Sequence, residues 1–110
     1  IFIAGFVKLK EGAEMKNSAF PADFAGAPNM LLRNNGDGTF ADISGAANVN
    51  PPDKKNEKSI AVIPTDFDNR RDIDFLVVNY GGRPNLFRNR RDGSFADAAE
   101  ETGLNRADKW

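Results

Sequence analysis

The chain has no cysteine and no histidine among its 110 residues. Without them there is no Ser-His-Asp or Cys-His nucleophilic system, no Cys/His zinc site and no disulfide framework. Any chemistry must use carboxylates, Lys, Arg, Tyr or hydroxyl groups. The missing cysteine fits either redox compartment, so it does not locate the protein. An excess of one charge is also lacking, since 15 Lys+Arg stand against 16 Asp+Glu and the formal net charge is -1. No strong field for nucleic acid or an anionic membrane follows from that balance. Long apolar runs are missing as well: the longest nearly uncharged one, Ile1 to Val7, is too short to span a bilayer, and no basic n-region or small-residue cleavage site precedes it. Neither nucleic-acid binding nor membrane insertion is expected. The first residue is Ile rather than Met, and the chain is read as an excised or processed piece. A length of 110 residues has room for one domain at most, which excludes a multi-domain enzyme.

Glutamate is scarce beside aspartate, five against eleven. Asp favours turns and hard-cation sites, whereas Glu favours helix interiors. With ten Gly, six Pro and nine Phe, the composition predicts short strands joined by tight turns rather than a helical bundle.

Two segments of the chain match each other. Pro28-Asn29-Met30-Leu31-Leu32-Arg33-Asn34-Asn35-Gly36-Asp37-Gly38-Thr39-Phe40-Ala41-Asp42 and Pro84-Asn85-Leu86-Phe87-Arg88-Asn89-Arg90-Arg91-Asp92-Gly93-Ser94-Phe95-Ala96-Asp97 align at a spacing of 55, with Met30 extra in the first copy. A weaker pairing sets Ile1-Phe2-Ile3-Ala4-Gly5-Phe6 beside Phe75-Leu76-Val77-Val78-Asn79-Tyr80, so that the chain starts partway through a unit. Each matched segment predicts a β-hairpin. Leu31 to Asn34 and Leu86 to Asn89 are the first strands, Asp37-Gly38 and Asp92-Gly93 supply the residues that tolerate positive φ, and Phe40 and Phe95 on the return strands point to a core. Behind each hairpin, Ser44 to Val49 and Ala99 to Leu104 have room for one helical turn ended near Gly or Asn. Ser59 to Thr65 and Ile73 to Val78 are β-branched runs that predict strands, with Pro64 near a strand end. Lys10 to Gly26 reads as an irregular insertion. The division expected is a partial first unit at 1–49, a polar, proline-bearing linker at 50–58 and a second unit at 59–110.

Between the two β-branched runs, Asp66-Phe67-Asp68-Asn69-Arg70-Arg71-Asp72-Ile73-Asp74 packs four carboxylates into nine residues. Charges that close repel unless something positive joins them, and a loop with Asp at alternate positions suits calcium. It is not an EF-hand, because the sixth position is Arg71 rather than Gly and the twelfth is Val77.

The Asp66 to Asp74 loop, its following apolar strand and the Asn85-Leu86-Phe87-Arg88-Asn89 to Asp92-Gly93-Ser94-Phe95 hairpin resemble the FG-GAP/VCBS repeats of integrin-α-type β-propellers, most closely the bacterial and cartilage-acidic-protein-like branch. The resemblance covers residues 28 to 104. It implies an all-β fold with about two blades, one incomplete, of a β-propeller-like repeat array, each blade of four antiparallel strands. It also implies a calcium loop, with Asp66, Asp68 and Asp74 at the first, third and ninth positions and Asp72 at the seventh offering its backbone carbonyl. Arg70 and Arg71 stand where the pattern has an acidic or amide residue and Gly. Arg cannot ligate a cation. Three readings stay open: bound calcium, a metal-free loop in which Arg70 replaces the cation, and a solvated turn.

The function expected is a noncatalytic binding or structural module, extracellular or periplasmic by the resemblance. Its expected partners are a protein or glycan and the remaining blades or other chains. The alternative is an accessory domain or subunit of an enzyme whose catalytic residues lie elsewhere. Asp37 and Asp92 are read as turn supports, and Arg83, Arg88, Arg90 and Arg91 as strand-edge charges balanced by local acids rather than a nucleic-acid surface. A glycosidase pair needs two carboxyls across a sugar cleft, and nothing in the sequence provides the cleft.

Overall fold

The computed structural model describes residues 1–10, 12–52 and 56–106, with the side chains of Ala13 and Glu14 excepted. It is mostly β. In chain order the elements are β1 (Phe2–Ile3), α1 (Ala13–Lys16), β2 (Met30–Asn34), β3 (Phe40–Asp42), α2 (Ser44–Ala47), β4 (Ser59–Thr65), β5 (Asp74–Asn79), β6 (Asn85–Asn89) and β7 (Phe95–Asp97). They make two antiparallel sheets of neighbouring strands, β1-β2-β3 and β4-β5-β6-β7. Among the described residues no helix is long and apolar enough to cross a membrane.

The same bonds close both hairpins, displaced by 55 residues. Asn35 N–H donates to Thr39 C=O and Arg90 N–H to Ser94 C=O, each at 3.0 Å. Asn34 Oδ1 accepts from Gly36 N–H and Asn89 Oδ1 from Arg91 N–H, each at 2.8 Å. Asp37 Oδ1 caps Thr39 N–H and Asp92 Oδ1 caps Ser94 N–H, each at 2.9 Å. Positive φ falls on Gly38 and Gly93, as expected, and also on Gly36 and its counterpart Arg91; neither Asp adopts it. The turn behind each hairpin repeats too. Ala47 N–H bonds to Ile43 C=O and Thr102 N–H to Ala98 C=O, and the turns end on left-handed Asn48 (φ 58) and Gly103 (φ 78).

The strand register extends the correspondence to β1. Phe2 lies opposite Leu31 and Ile3 opposite Met30, as Leu76 lies opposite Leu86 and Val77 opposite Asn85. The first sheet thus has counterparts of β5, β6 and β7.

One core joins the sheets: Leu31, Ala47 and Val49 from the first unit bury against Val77, Phe87 and Phe95 of the second, with Phe2 packed on Phe75 at 4.9 Å between ring centroids. A smaller cluster of Leu86, Ala98 and Ala99 covers the far face of the second sheet, with Phe67, Leu76 and Leu104 against it. The expectation for Phe40 needs correction. Phe95 is 7% exposed, but Phe40 at the matching position is 48% exposed. Side chains alternate across a strand, and the first sheet turns its Leu31 face to the second, which leaves the Phe40 face uncovered.

The ends of the 50–58 segment are tied to the sheets. Asn50 exchanges bonds with the backbone of Asn29 at 2.7 and 2.8 Å, and Glu57 accepts from Asn79 Nδ2 at 2.9 Å. Residues 53–55 of this expected linker lie outside the described residues. A side-chain relay runs from there through buried Asn79 and Asn85 to the exposed Asp97 carboxylate. Asn79 Nδ2 donates to Asn85 Oδ1 at 2.7 Å and Asn85 Nδ2 to Asp97 Oδ2 at 2.8 Å, which joins β5, β6 and β7 by side chains as well as backbone. In the first unit, buried Asn29 accepts from Gly5 N–H at 2.9 Å. A Cβ on Gly5 would stand 2.2 Å from the Pro28 carbonyl oxygen, so only glycine permits this approach.

Among its described residues, the Lys10 to Gly26 stretch holds α1, turns and one bridge between Val7 and Gly26, and it buries Phe24.

Candidate metal centre

The Asp-rich loop leaves β4 at Thr65 and re-enters the sheet at Asp74, the first residue of β5. Asp66 shapes it by accepting from Arg70 N–H (2.9 Å) and Arg71 N–H (3.0 Å), one bond per carboxylate oxygen. The tight path puts Asn69 and Arg71 in the left-handed region, at φ 56 and 64. An Asn tolerates that conformation, whereas an Arg is strained there by about 1 kcal/mol. Arg71→Gly is therefore expected to raise stability by about 0.5–1 kcal/mol in chelator, read from urea melts; an unchanged or lower midpoint would show that the Arg side chain offsets the strain.

This path brings Asp66, Asp68 and Asp74 together, each offering a carboxylate oxygen within 4.8 Å of the others. Asp74 is the anchor, 1% exposed. Its Oδ1 accepts from Asn89 N–H of β6 at 2.7 Å, while its Oδ2 is buried without a hydrogen-bond partner. Asp68 Oδ1 is likewise buried and unpartnered. Asp72 faces away from the cluster, its carboxylate held by Arg91 Nε at 2.8 and 2.7 Å. Arg91 Nη2 also donates to the Arg70 carbonyl.

Arg70, read from the sequence as the replacement for a cation, is half-exposed with its Nη1 3.9 Å from Asp68 Oδ2. The nearer guanidinium belongs to β6. Arg88 Nε stands 3.2 Å from Asp68 Oδ2, without aligning its N–H for a hydrogen bond. Arg88 pairs through Nη2 with Glu101 and lies over the Phe67 ring at 5.2 Å. Two guanidinium groups at Asp68, one half-exposed and the other shared with Glu101, do not offset three clustered carboxylates, and buried unpaired carboxylate oxygens are costly. Two such oxygens beside a cluster of hard anionic donors fit a cation of the calcium class. Sequence reasoning placed the acids and read Arg88 and Arg91 as strand-edge charges balanced by local acids, without assigning them to Asp68 and Asp72. The available signal was the surplus of Asp in one loop facing two Arg in the next hairpin.

Three acids of the turns are shifted. Asp37, Asp42 and Asp92 are held below the ordinary value of 3.8, first by the hydroxyls of Thr39, Ser44 and Ser94 and then by the same residues' backbone N–H groups. A carboxyl whose folded value is depressed stabilises fully above its unfolded value and loses that contribution as pH falls through the folded one. The melting temperature is thus expected to decline below about pH 3.8 on account of these caps. Thr39→Val combined with Ser94→Ala should make that acid decline shallower, as measured by melts across pH; an identical acid limb would remove the caps from the account.

Comparison with known proteins returned no matching family model, no matching curated protein and no matching solved structure.

Proposed function

We propose that the chain is a noncatalytic binding and structural module of β-propeller-like repeats, whose Asp66 to Asp74 loop takes calcium. Its exposed loops would meet a protein or glycan partner, in an extracellular or periplasmic setting. The observation that carries the cation is the buried, unpartnered Asp74 Oδ2, on a carboxylate that comes within 4.8 Å of those of Asp66 and Asp68. The FG-GAP/VCBS resemblance supports the wider reading through the same residues.

Asp66, Asp68 and Asp74 would hold the ion, with the Asp72 backbone carbonyl assigned by the resemblance. Bound calcium supplies positive charge and ties oxygen ligands together. The chain itself contributes the placement: Asp66 fixes the loop backbone, Asn89 orients Asp74, and Arg91 holds Asp72 outside. Arg88 then serves Glu101 and the Phe67 ring. Since a cation drawn into this loop links β4 to β5, the role is structural, a brace for the loops that would carry recognition.

Calorimetric titration of calcium into the chelator-stripped chain tests this. One site per chain is expected, absent in Asp68→Asn and in Asp74→Asn. No heat and no competition by calcium for bound terbium would remove the metal from the reading.

A further inference from the structure

Asp68 is the member of the acidic cluster that positive side chains meet. Arg88 Nε stands 3.2 Å from its Oδ2, yet the N–H is not aligned to donate. What holds the guanidinium lies on its other sides. Its Nη2 pairs with Glu101, in the turn that follows β7, and its central carbon lies over the ring of Phe67, a residue of the Asp-rich loop itself. Arg88 is thus suspended between two carboxylates, with a side chain only 27% exposed. Arg70, the other cation near Asp68, is 3.9 Å away and 48% exposed, free to turn to water.

An ion entering the cluster meets the Arg88 charge first. A guanidinium so close to one ligand repels a divalent cation and competes with it for that ligand, and both effects are strong where water is partly excluded. Glu101 offers the arginine a second anion that it already touches. Giving up Asp68 therefore leaves Arg88 paired rather than stranded.

We propose that Arg88 is a built-in competitor for the cation at Asp68 and that Glu101 is the anion that receives it, the two together setting how tightly the loop holds calcium. The proposal rests on the calcium reading above and adds the regulation of that site. It also couples the ion to the turn after β7. By reciprocity, whatever strengthens the Arg88–Glu101 pair strengthens calcium binding by the same factor.

Calorimetric titration of calcium, with terbium competition, tests it on five chelator-stripped proteins: wild type, Arg88→Met, Arg88→Gln, Glu101→Gln, and Arg88→Met combined with Glu101→Gln. Each is first shown to melt cooperatively. Met keeps an unbranched stem over Phe67, Gln stands in should Met misfold, and Glu101 is 57% exposed, so its change leaves the core alone. Arg88→Met should bind calcium about tenfold more tightly than wild type and Glu101→Gln about fivefold more weakly, within the usual range for coupled groups. The deciding comparison is the combined variant. With the arginine gone, Glu101→Gln should leave the affinity of Arg88→Met unchanged. If Glu101 acted only as a nearby negative charge, its loss would weaken calcium equally in both backgrounds, and that result would overturn the proposal. So would Arg88 variants that bind no more tightly than a wild type that binds. Calcium bound by Arg88→Met but not by wild type would support it, with the arginine strong enough to exclude the ion. No binding in wild type or in either Arg88 variant would remove the calcium reading itself, and the competitor with it.

Discussion

Phe87→Ala is expected to cost about 3–5 kcal/mol, against about 1 kcal/mol or less for Leu32→Ala, although the two residues hold the same place in their hairpins. Phe87 is 1% exposed and sits where both sheets meet, touching the core that Leu31, Ala47 and Val49 build from the other side. Truncating it removes transfer energy and leaves a cavity that neither sheet can close alone. Leu32 lies on the Phe40 face and is only half-buried, so its truncation removes less buried surface and leaves no closed cavity. A domain of this size has about 5–15 kcal/mol in all, so Phe87→Ala consumes a large share of it. Urea melts at a dilution that keeps the chain monomeric measure both. Equal losses at the two positions would mean that each sheet is stabilised separately and that the shared core is not the main support.

Calcium is expected to raise the melting temperature by on the order of ten degrees when present at about 100 times its dissociation constant, since that excess is worth about 2.7 kcal/mol. The effect should vanish in Asp74→Asn, which keeps an oxygen for Asn89 N–H but brings no charge to the buried position. Superimposable melts in calcium and chelator would instead favour a loop held by Arg88 and Arg91 without a metal.

The strands were legible in the sequence where their cause is local. Ser59 to Thr65 forms β4 because its β-branched run suits a pleated surface, and the Gly38 and Gly93 turns fix the hairpins because only those backbones bend so cheaply. Asp66, Asp68 and Asp74 were legible because their spacing lies within one loop. Two things were not. Phe40 and Phe95 carry the same local signal, and only the presence of a second sheet on one side decides which is buried. Arg88 of β6 meets Asp68 of the β4–β5 loop, a pairing at which the sequence hints only by a surplus of Asp in one loop and of Arg in the next hairpin. The relay from buried Asn79 and Asn85 to exposed Asp97 was hidden for the same reason, since Asn residues near a turn normally face water.

The turn that closes on Asn48 backs its own hairpin and seats the second sheet through Ala47 and Val49. In the repeat-array reading proposed above, stability then divides into a term for each unit and a term for each junction. In an open stack, a further unit of the same kind would add one of each and leave the number of uncovered ends unchanged. The free energy of exposing those ends is then a fixed quantity, whose share per unit falls as units accumulate, and cooperativity grows with array length without any change in the contacts themselves.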